Sequence, residues 1–524
     1  MIRIGSLIVA ILVGMFVGNL CAGLAMTIVA AVAPPNAALR VPVLLIGSAL
    51  GGFIGFLKWR ASAAGVVSDA HGSARYSRAD EVKRTLGGSE GLIVGRALKG
   101  GALLRYAGPA HLLTIAPTRS GKGVGAILPN LLTADRAVLC IDPKGENARI
   151  TARARSRLGP VYVLDPFEVS GQPGAAFNPL SALDPDSLDL AEDAALIAEA
   201  LVYDPPHQVG EAHWNEEAKA LIAGLILHVV TTASPHLRSL ATVRDLLTGS
   251  PEAFRKMLEA MQASSAAGGL VARAANRHLA KSDREGTGVL SAAQRHTHFL
   301  DSPRMARVLE RSDFSFADLK AGVVSVFLVL PPERLGTHAR WLRLLVVQAI
   351  GALARAPQGA AANAKSVLLM LDEFAALGHL EPVERAFGLM AGYGVQLWAI
   401  LQDLHQLKSA YGEHAGTFLA NAGVIQVFNV ADIDTATWVS RSMGTATEAY
   451  YTSGQTTTQT PGKFFATHGS STSLNLARRD LATPDEVMRM DRESLILLRP
   501  GANPTVARKV QYYADAEFRG MFGA

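Results

Sequence analysis

The chain is 524 residues long, 49% hydrophobic and only 18% charged, with a mean hydropathy of +0.21. That length excludes a single small core, and a charge content below the ~25% of ordinary soluble domains points to a membrane segment. The net charge of +5 suits nucleic acid or an anionic membrane without singling out either, while two cysteines, Cys21 and Cys140, exclude a disulfide framework and imply a reducing compartment.

From Ile4 to Val32 the sequence is apolar and uncharged, longer than the ~20 residues that span a bilayer. A second apolar run, Val41 to Leu57, follows a short loop with Pro34 and Pro35. Two transmembrane helices are expected. Arg3, Lys58 and Arg60 flank the outer ends and place both termini in the cytosol by the positive-inside tendency, against the vote of Arg40 in the loop. Ala31-Val32-Ala33 resembles a signal-peptide cleavage site, but Pro34 follows at once and a second span comes next. Gly14 and Gly18, and Gly47, Gly51 and Gly55, recur at four-residue spacing, which lets helices approach closely within or between subunits.

After a polar linker (Ala61 to Leu98), His111 to Ile115 reads as a strand, Ala116 to Gly123 as a loop, and a helix begins near Lys122. Strand, glycine-rich loop, lysine and helix form a phosphate-cradling P-loop, with Thr118, Arg119, Ser120, Gly121, Lys122, Gly123 and Val124 as the nucleotide-binding stretch. Two positions depart from the usual pattern. Ala116 stands for the first glycine, and Gly123 replaces the hydroxyl residue that binds Mg²⁺, leaving the ion to take an extra water or to borrow Ser120 or Thr118.

Strand-like runs lead into Asp142, Asp165 and Pro331, and again into Ala431-Asp432. Between Phe177 and Ala321 strand signals vanish and helical periodicity takes over. Arg284, Arg295, His296, His298, Arg304, Arg307 and Arg311 in this block can touch phosphates or form an ordinary solvated face. Ser366 to Leu371 is a buried-type strand ending in Asp372 and Glu373. Asp372 is placed to hold Mg²⁺, directly or through water, and Glu373 to activate the attacking water. Gly394 to Gln402 is a further strand, whose Gln402 can sense a γ-phosphate. Thr445 to Ser473, rich in Thr, Ser and Gly, reads as a mobile loop or extended hairpin, flanked by Arg441, Arg478 and Arg479. Ser494 to Leu498 and Thr505 to Tyr512 are expected to complete a sheet edge.

Ala116-Pro-Thr-Arg-Ser-Gly-Lys-Gly-Val-Gly125, Asp142-Pro-Lys-Gly-Glu146, Phe177-Asn-Pro-Leu180, His213-Trp-Asn-Glu216, Leu371-Asp-Glu-Phe374 and Leu481-Ala-Thr-Pro-Asp-Glu486 together resemble the TraG-like coupling proteins of type IV secretion. The resemblance implies an α/β, RecA/FtsK-like P-loop ATPase with a parallel-rich sheet and an inserted all-α domain, under two N-terminal transmembrane helices. The expected domains are an anchor over 1–60, the P-loop half over 61–180, the all-α domain over 181–320, and the Asp-Glu half with closing strands over 321–524. It further implies a homo-hexamer in the bacterial inner membrane, most of each chain cytoplasmic, using ATP and Mg²⁺. The hexamer would pass relaxase-bound single-stranded DNA, protein effectors or both to the secretion channel. A trans-acting arginine is expected among Arg441, Arg478, Arg479 and Arg385. The rival readings are a double-stranded DNA translocase and a nucleotide-gated receptor with little hydrolysis.

Overall fold

The structure, a computed structural model, describes residues 2–30, 37–63, 69–203, 212–356, 365–458 and 467–523. It divides into two compact units: Met1–Ser73 with Thr445–Arg479, and Ala74–Gly444 with Asp480–Ala524.

In the first unit the two apolar runs are helices, α1 (Ile2–Ala30) and α2 (Ala37–Ala63). Their glycines face each other. A Cβ on Gly18 would lie 2.1 Å from the Gly47 carbonyl oxygen, and one on Gly51 2.1 Å from that of Gly14. Only glycine permits this backbone-to-backbone approach, so the small-residue pattern packs the hairpin against itself. Ser48 adds a 2.6 Å hydrogen bond to Asn19 Oδ1. Leu12, Phe16, Leu20, Leu45 and Phe53 point outward and are exposed. Side chains of these helices are described over 8–24 and 45–58, and among the described residues no helix is long and apolar enough to cross a membrane.

The second unit opens with α3 (Ala79–Leu86), β1 (Leu92–Arg96), β2 (Leu103–Tyr106) and β3 (His111–Ile115). Then come α4 (Leu128–Thr133), β4 (Val138–Asp142), α5 (Glu146–Arg155) and β5 (Val161–Leu164). From here to β6 the described residues hold helices and no named strand: α6 (Leu190–Leu201), α7 (Ala212–Thr232), α8 (Leu240–Thr248), α9 (Pro251–Gln262), α10 (Leu270–Leu279), α11 (Asp283–Thr297), α12 (Pro303–Val308) and α13 (Asp318–Ala321). The fold returns to the sheet with β6 (Ser325–Val329), α14 (Pro332–Arg355), β7 (Val367–Leu371), α15 (Glu381–Leu389), β8 (Val395–Leu401) and β9 (Ala422–Phe428). A two-stranded ribbon, β10 (Thr445–Thr458) with β11 (Thr467–Asp480), precedes β12 (Ser494–Leu498) and β13 (Thr505–Arg508).

The main sheet has 11 strands in the order β2-β1-β13-β12-β9-β3-β8-β7-β4-β6-β5. From β9 to β5 neighbouring strands are parallel, and from β9 to β2 they are antiparallel. Every residue of β3, β4, β6, β7 and β8 is buried, as expected of strands covered on both faces. One face, with Leu113, Leu139 and Leu369, shares an apolar core with the helices between β5 and β6 through Phe177, Ile197 and Leu225. The opposite face, with Leu112, Cys140 and Trp398, packs on Ala126, Leu131 and Ala148.

Two expectations need correction. β12 and β13 do not end the sheet but lie inside it, between β9 and β1. The segment read as a linker supplies α3 and β1, whose apolar run Leu92-Ile-Val94 is too short to stand out. Of the two readings of the Thr/Ser-rich segment, the extended hairpin is the one found, with 459–466 outside the described residues.

His111, at the start of β3, is buried. Its Nδ1 accepts from the Leu397 N–H at 3.1 Å and its Nε2 lies 3.1 Å from the Ala386 carbonyl. Burial pushes its pKa down to about 4 against the favourable Ala386 contact. The folded chain thus holds His111 neutral, while the unfolded chain protonates it below about 6.5. Its contribution is present above that pH and is lost as pH falls toward 4, amounting to about 3 kcal/mol. Chemical unfolding of wild type and His111→Gln at pH 7 and pH 5 should show a smaller pH penalty in the variant.

Candidate active site

β3 delivers the chain to the P-loop at the sheet's parallel centre. Ser120 N–H bonds back to Pro117 O at 3.1 Å, and the left-handed φ of +63° at Arg119 and +91° at Gly121 turns the backbone. Gly121 is thus a residue that side chains would strain. The helix begins at Lys122 with a π turn, Gly123–Ile127, before continuing as α4. Asn130 on α4 is buried and fixes this helix to β1. Its Oδ1 accepts from Ile93 N–H at 2.7 Å, and its Nδ2 donates to Ile93 O at 2.9 Å and Ala126 O at 2.7 Å.

β8 lies between β3 and β7, so their C-terminal ends converge. Lys122 Nζ sits 2.8 Å from Asp372 Oδ1 and 2.7 Å from Glu373 Oε1. Gln402 Nε2 donates to Glu373 Oε2 at 3.3 Å, and Thr118 Oγ1 donates to Gln402 Oε1 at 3.2 Å. Lys122, Asp372, Glu373 and Gln402 therefore form one hydrogen-bonded set. Glu373 is held at φ +53°, a left-handed conformation that costs about 1–3 kcal/mol for a residue with a side chain and recurs at functional sites. Burial raises the pKa of Asp372, and Lys122 draws it part of the way back. For Lys122 burial acts downward, but the two carboxylates outweigh it and the net shift is upward.

Thr118, Arg119, Ser120, Gly121 and Val124 line a cavity of about 540 Å³. Its far wall carries residues that inspection of the sequence missed: Arg492, Glu493, Lys509, Gln511 and Tyr513. Lys509 Nζ donates to Ser120 O at 2.7 Å and to Asn429 Oδ1, pinning the P-loop from the end of β13. Ser120 Oγ is buried and has no hydrogen-bond partner. An orphaned buried hydroxyl in the P-loop, two residues before Lys122, suits a bound phosphate or divalent cation. A Cβ on Gly123 would meet nothing within 4 Å.

Several basic residues of the helical block already have protein partners, with Arg304 and Arg307 both near Glu168. His296 is fully buried and lies 2.9 Å from Asn215 Oδ1, while Arg311 pairs with Asp313 and Glu310.

Residues 68–522 match the family model described as "Type IV secretory system Conjugative DNA transfer". This chain belongs to that family. It is 31% identical over 406 residues to a conjugal transfer protein TraG of Escherichia coli, covering 74% of this chain and 63% of TraG. Against a protein VirD4 of Rhizobium radiobacter it is 29% identical over 473 residues, covering 86% of this chain and 65% of VirD4. The chain thus spans less than two thirds of either relative. Its fold is similar to that of the bacterial conjugative coupling protein TrwBdeltaN70, with a TM-score of 0.62 at 17% identity over 84% of this chain and 95% of that one. Plasmid coupling protein TrwB in complex with the ATP analogue ADPNP matches with a TM-score of 0.61 at 16% identity, over 84% of this chain and 93% of that one. TrwB has also been solved with ADP and Mg²⁺.

In this member of the conjugative DNA transfer family, Asp142 is a further acidic group by the site, at the end of β4, the strand next to β7. Burial pushes its carboxyl up to about 6, opposed by the backbone N–H groups of Ala148, Asn147 and Lys144. The fold has a mixed α/β layering on a largely parallel sheet, with the P-loop following a central strand.

Proposed function

We propose that this chain is a coupling ATPase of type IV secretion. Lys122 hydrogen-bonded to both Asp372 and Glu373, on a P-loop at the C-terminal ends of parallel strands, carries this reading. Lys122 exchanges the carboxylates for the β/γ-phosphates when ATP enters. Glu373, released from Lys122, accepts a proton from the attacking water. Gln402, already hydrogen-bonded to Glu373, orients that water. Mg²⁺ would be held by Asp372, with Ser120 supplying a hydroxyl, and would neutralise charge on the phosphates. The TrwB complexes with ADPNP and with ADP and Mg²⁺ support this choice of ligands.

The cargo is single-stranded DNA bound to a relaxase, protein effectors or both, delivered to the channel of the secretion machine. Family membership supports this assignment, as do the VirD4 and TraG relatives. We place the chain in the bacterial inner membrane, anchored by α1 and α2. The outward apolar residues of a glycine-packed hairpin support that placement. A homo-hexamer with an arginine acting in trans completes the reading.

Steady-state ATP hydrolysis by the full chain, with and without single-stranded DNA, tests it. Turnover stimulated by DNA and lost in Lys122→Ala is the expected result. Nucleotide binding without turnover would leave a nucleotide-gated receptor, the reading that the missing hydroxyl at Gly123 favours. Because a Cβ at position 123 meets no neighbour, Gly123→Ser should fold normally. It should lower the Mg²⁺ concentration needed for half-maximal nucleotide binding by about tenfold, the worth of one hydrogen bond to a charged group, as read by titration with a fluorescent nucleotide.

A further inference from the structure

The segment that follows Glu373 is short and ordered. Ala376 N–H bonds to Glu373 O at 2.8 Å and Gly378 N–H to Ala375 O at 3.0 Å, forming a single turn over Phe374–Leu377. Arg343, on α14, grips the end of that turn. One guanidinium nitrogen, Nη1, donates to Leu377 O and to His379 O, the latter at 2.8 Å. Between those carbonyls lies Gly378, at φ +60°. A Cβ there would come within 2.2 Å of the Tyr203 hydroxyl oxygen, so Tyr203 closes over the backbone that Arg343 holds. The Arg343 guanidinium also stacks on the Tyr203 ring, 4.1 Å from its centroid.

Both residues reach the helical block. Arg343 Nε donates to Ala200 O at 3.2 Å, at the end of α6. Arg340, one turn earlier on α14, donates to Leu201 O at 3.1 Å and Tyr203 O at 2.8 Å, and lies 3.1 Å from His296 Nδ1 on α11. His296 in turn meets Asn215 of α7. The end of α6 and His296 of α11 thus meet α14 close to the point where it holds the turn after Glu373, and α7 joins them through His296.

Arg343 is only 3% exposed, and its guanidinium donates to the backbone carbonyls of Ala200, Leu377 and His379. Burial pushes its pKa down to about 10. A guanidinium buried without a carboxylate is costly, and an apolar side chain of similar volume is often as good or better for stability. What an apolar residue cannot supply is a planar fork that fixes several carbonyls on two different segments at once.

We infer that Arg343 is a positioning residue for Glu373, clamping the turn after the Asp-Glu pair to the end of α6 so that the helical block and the hydrolytic carboxylate move together. The inference rests on the reading of Glu373 as the group that activates water. Displacement of α6 by cargo on the helical block then shifts Leu377–His379, and with it Glu373, while the P-loop contacts to nucleotide stay in place. Positional errors of about 1 Å at a catalytic group lower rates by roughly a hundredfold.

The test uses the full chain with Arg343→Met, which keeps the volume, and Arg343→Lys, which keeps the charge. Steady-state hydrolysis, nucleotide affinity by fluorescent-nucleotide titration, and backbone hydrogen exchange across 190–201 with and without ADP and Mg²⁺ are measured together. Arg343→Met strands the carbonyls of Ala200, Leu377 and His379 and should lower the melting temperature while leaving the chain folded. Its kcat should fall at least about tenfold with nucleotide affinity unchanged, and Arg343→Lys should recover part of both losses. The nucleotide-dependent change in exchange at 190–201, present in wild type, should vanish in Arg343→Met. Wild-type kcat in Arg343→Met, or no nucleotide-dependent exchange at 190–201 in wild type, overturns the inference. Loss of nucleotide binding together with the fold in both variants overturns it too, leaving Arg343 a purely structural residue. A wild-type chain that binds nucleotide without hydrolysing it removes the ATPase reading instead, and the exchange response alone then decides whether the clamp couples the two regions.

Discussion

Glu373→Gln is expected to cut ATP turnover by about 10²–10⁴-fold, the usual contribution of a general base, while leaving nucleotide binding intact or tighter. The amide keeps the size of the side chain and its place beside Gln402 but accepts a water proton poorly. Lys122 is held by two carboxylates, at 2.8 and 2.7 Å, and must leave them to reach a phosphate. Removing one charge weakens that hold. Lys122→Ala should behave in the opposite way, losing nucleotide affinity and leaving two carboxylates side by side without a cation. Parallel measurements of turnover and of nucleotide affinity in the two variants separate the roles. Equal loss of affinity in both would contradict them.

The largest effect on stability is expected at Asn130. Its amide satisfies both backbone groups of Ile93 and the carbonyl of Ala126, all buried. Asn130→Leu fills the volume but strands those groups, at about 1–3 kcal/mol for each buried polar group left unpaired. A loss of about 3 kcal/mol or more follows. The damage should also reach the P-loop, because α4 continues directly from it. Chemical denaturation with and without ADP should show both the drop and a reduced stabilisation by nucleotide.

The parts of the site that the sequence discloses are those carried on unbroken strings. Strand, loop and lysine run together at 111–122, and the paired carboxylates close an apolar strand at 372–373. The strand bounds Val161–Leu164 and Ser494–Leu498 are readable because turn residues punctuate short apolar runs. Lys509 is invisible in the same way that it is important: it touches Ser120 across 389 residues, through strand neighbours that no local pattern announces. In the antiparallel wing, β1 and β2 are hidden by their length of five and four residues, while β12 and β13 are legible as strands but not in their place inside the sheet. The glycines of α1 and α2 signal close packing but not its partner, and only the three-dimensional pairing shows that the hairpin uses them internally. Arg343 and Tyr203 carry no motif at all, because their meaning lies in which carbonyls they reach.

The order of strands also sets a timetable for biosynthesis. β3 lies between β8 and β9, and Thr114 receives the Trp398 indole N–H from 284 residues further along. At ordinary translation speeds that interval lasts roughly 15–60 s. Throughout it the P-loop strand has neither neighbour, and its apolar edges stand open on the nascent chain. β1 waits longer still, for β13. The ATP site therefore cannot form co-translationally from its N-terminal half. Sheet closure falls after nearly the whole chain has left the ribosome, a non-local topology of the kind that folds slowly and relies on chaperones to keep unpaired strands apart.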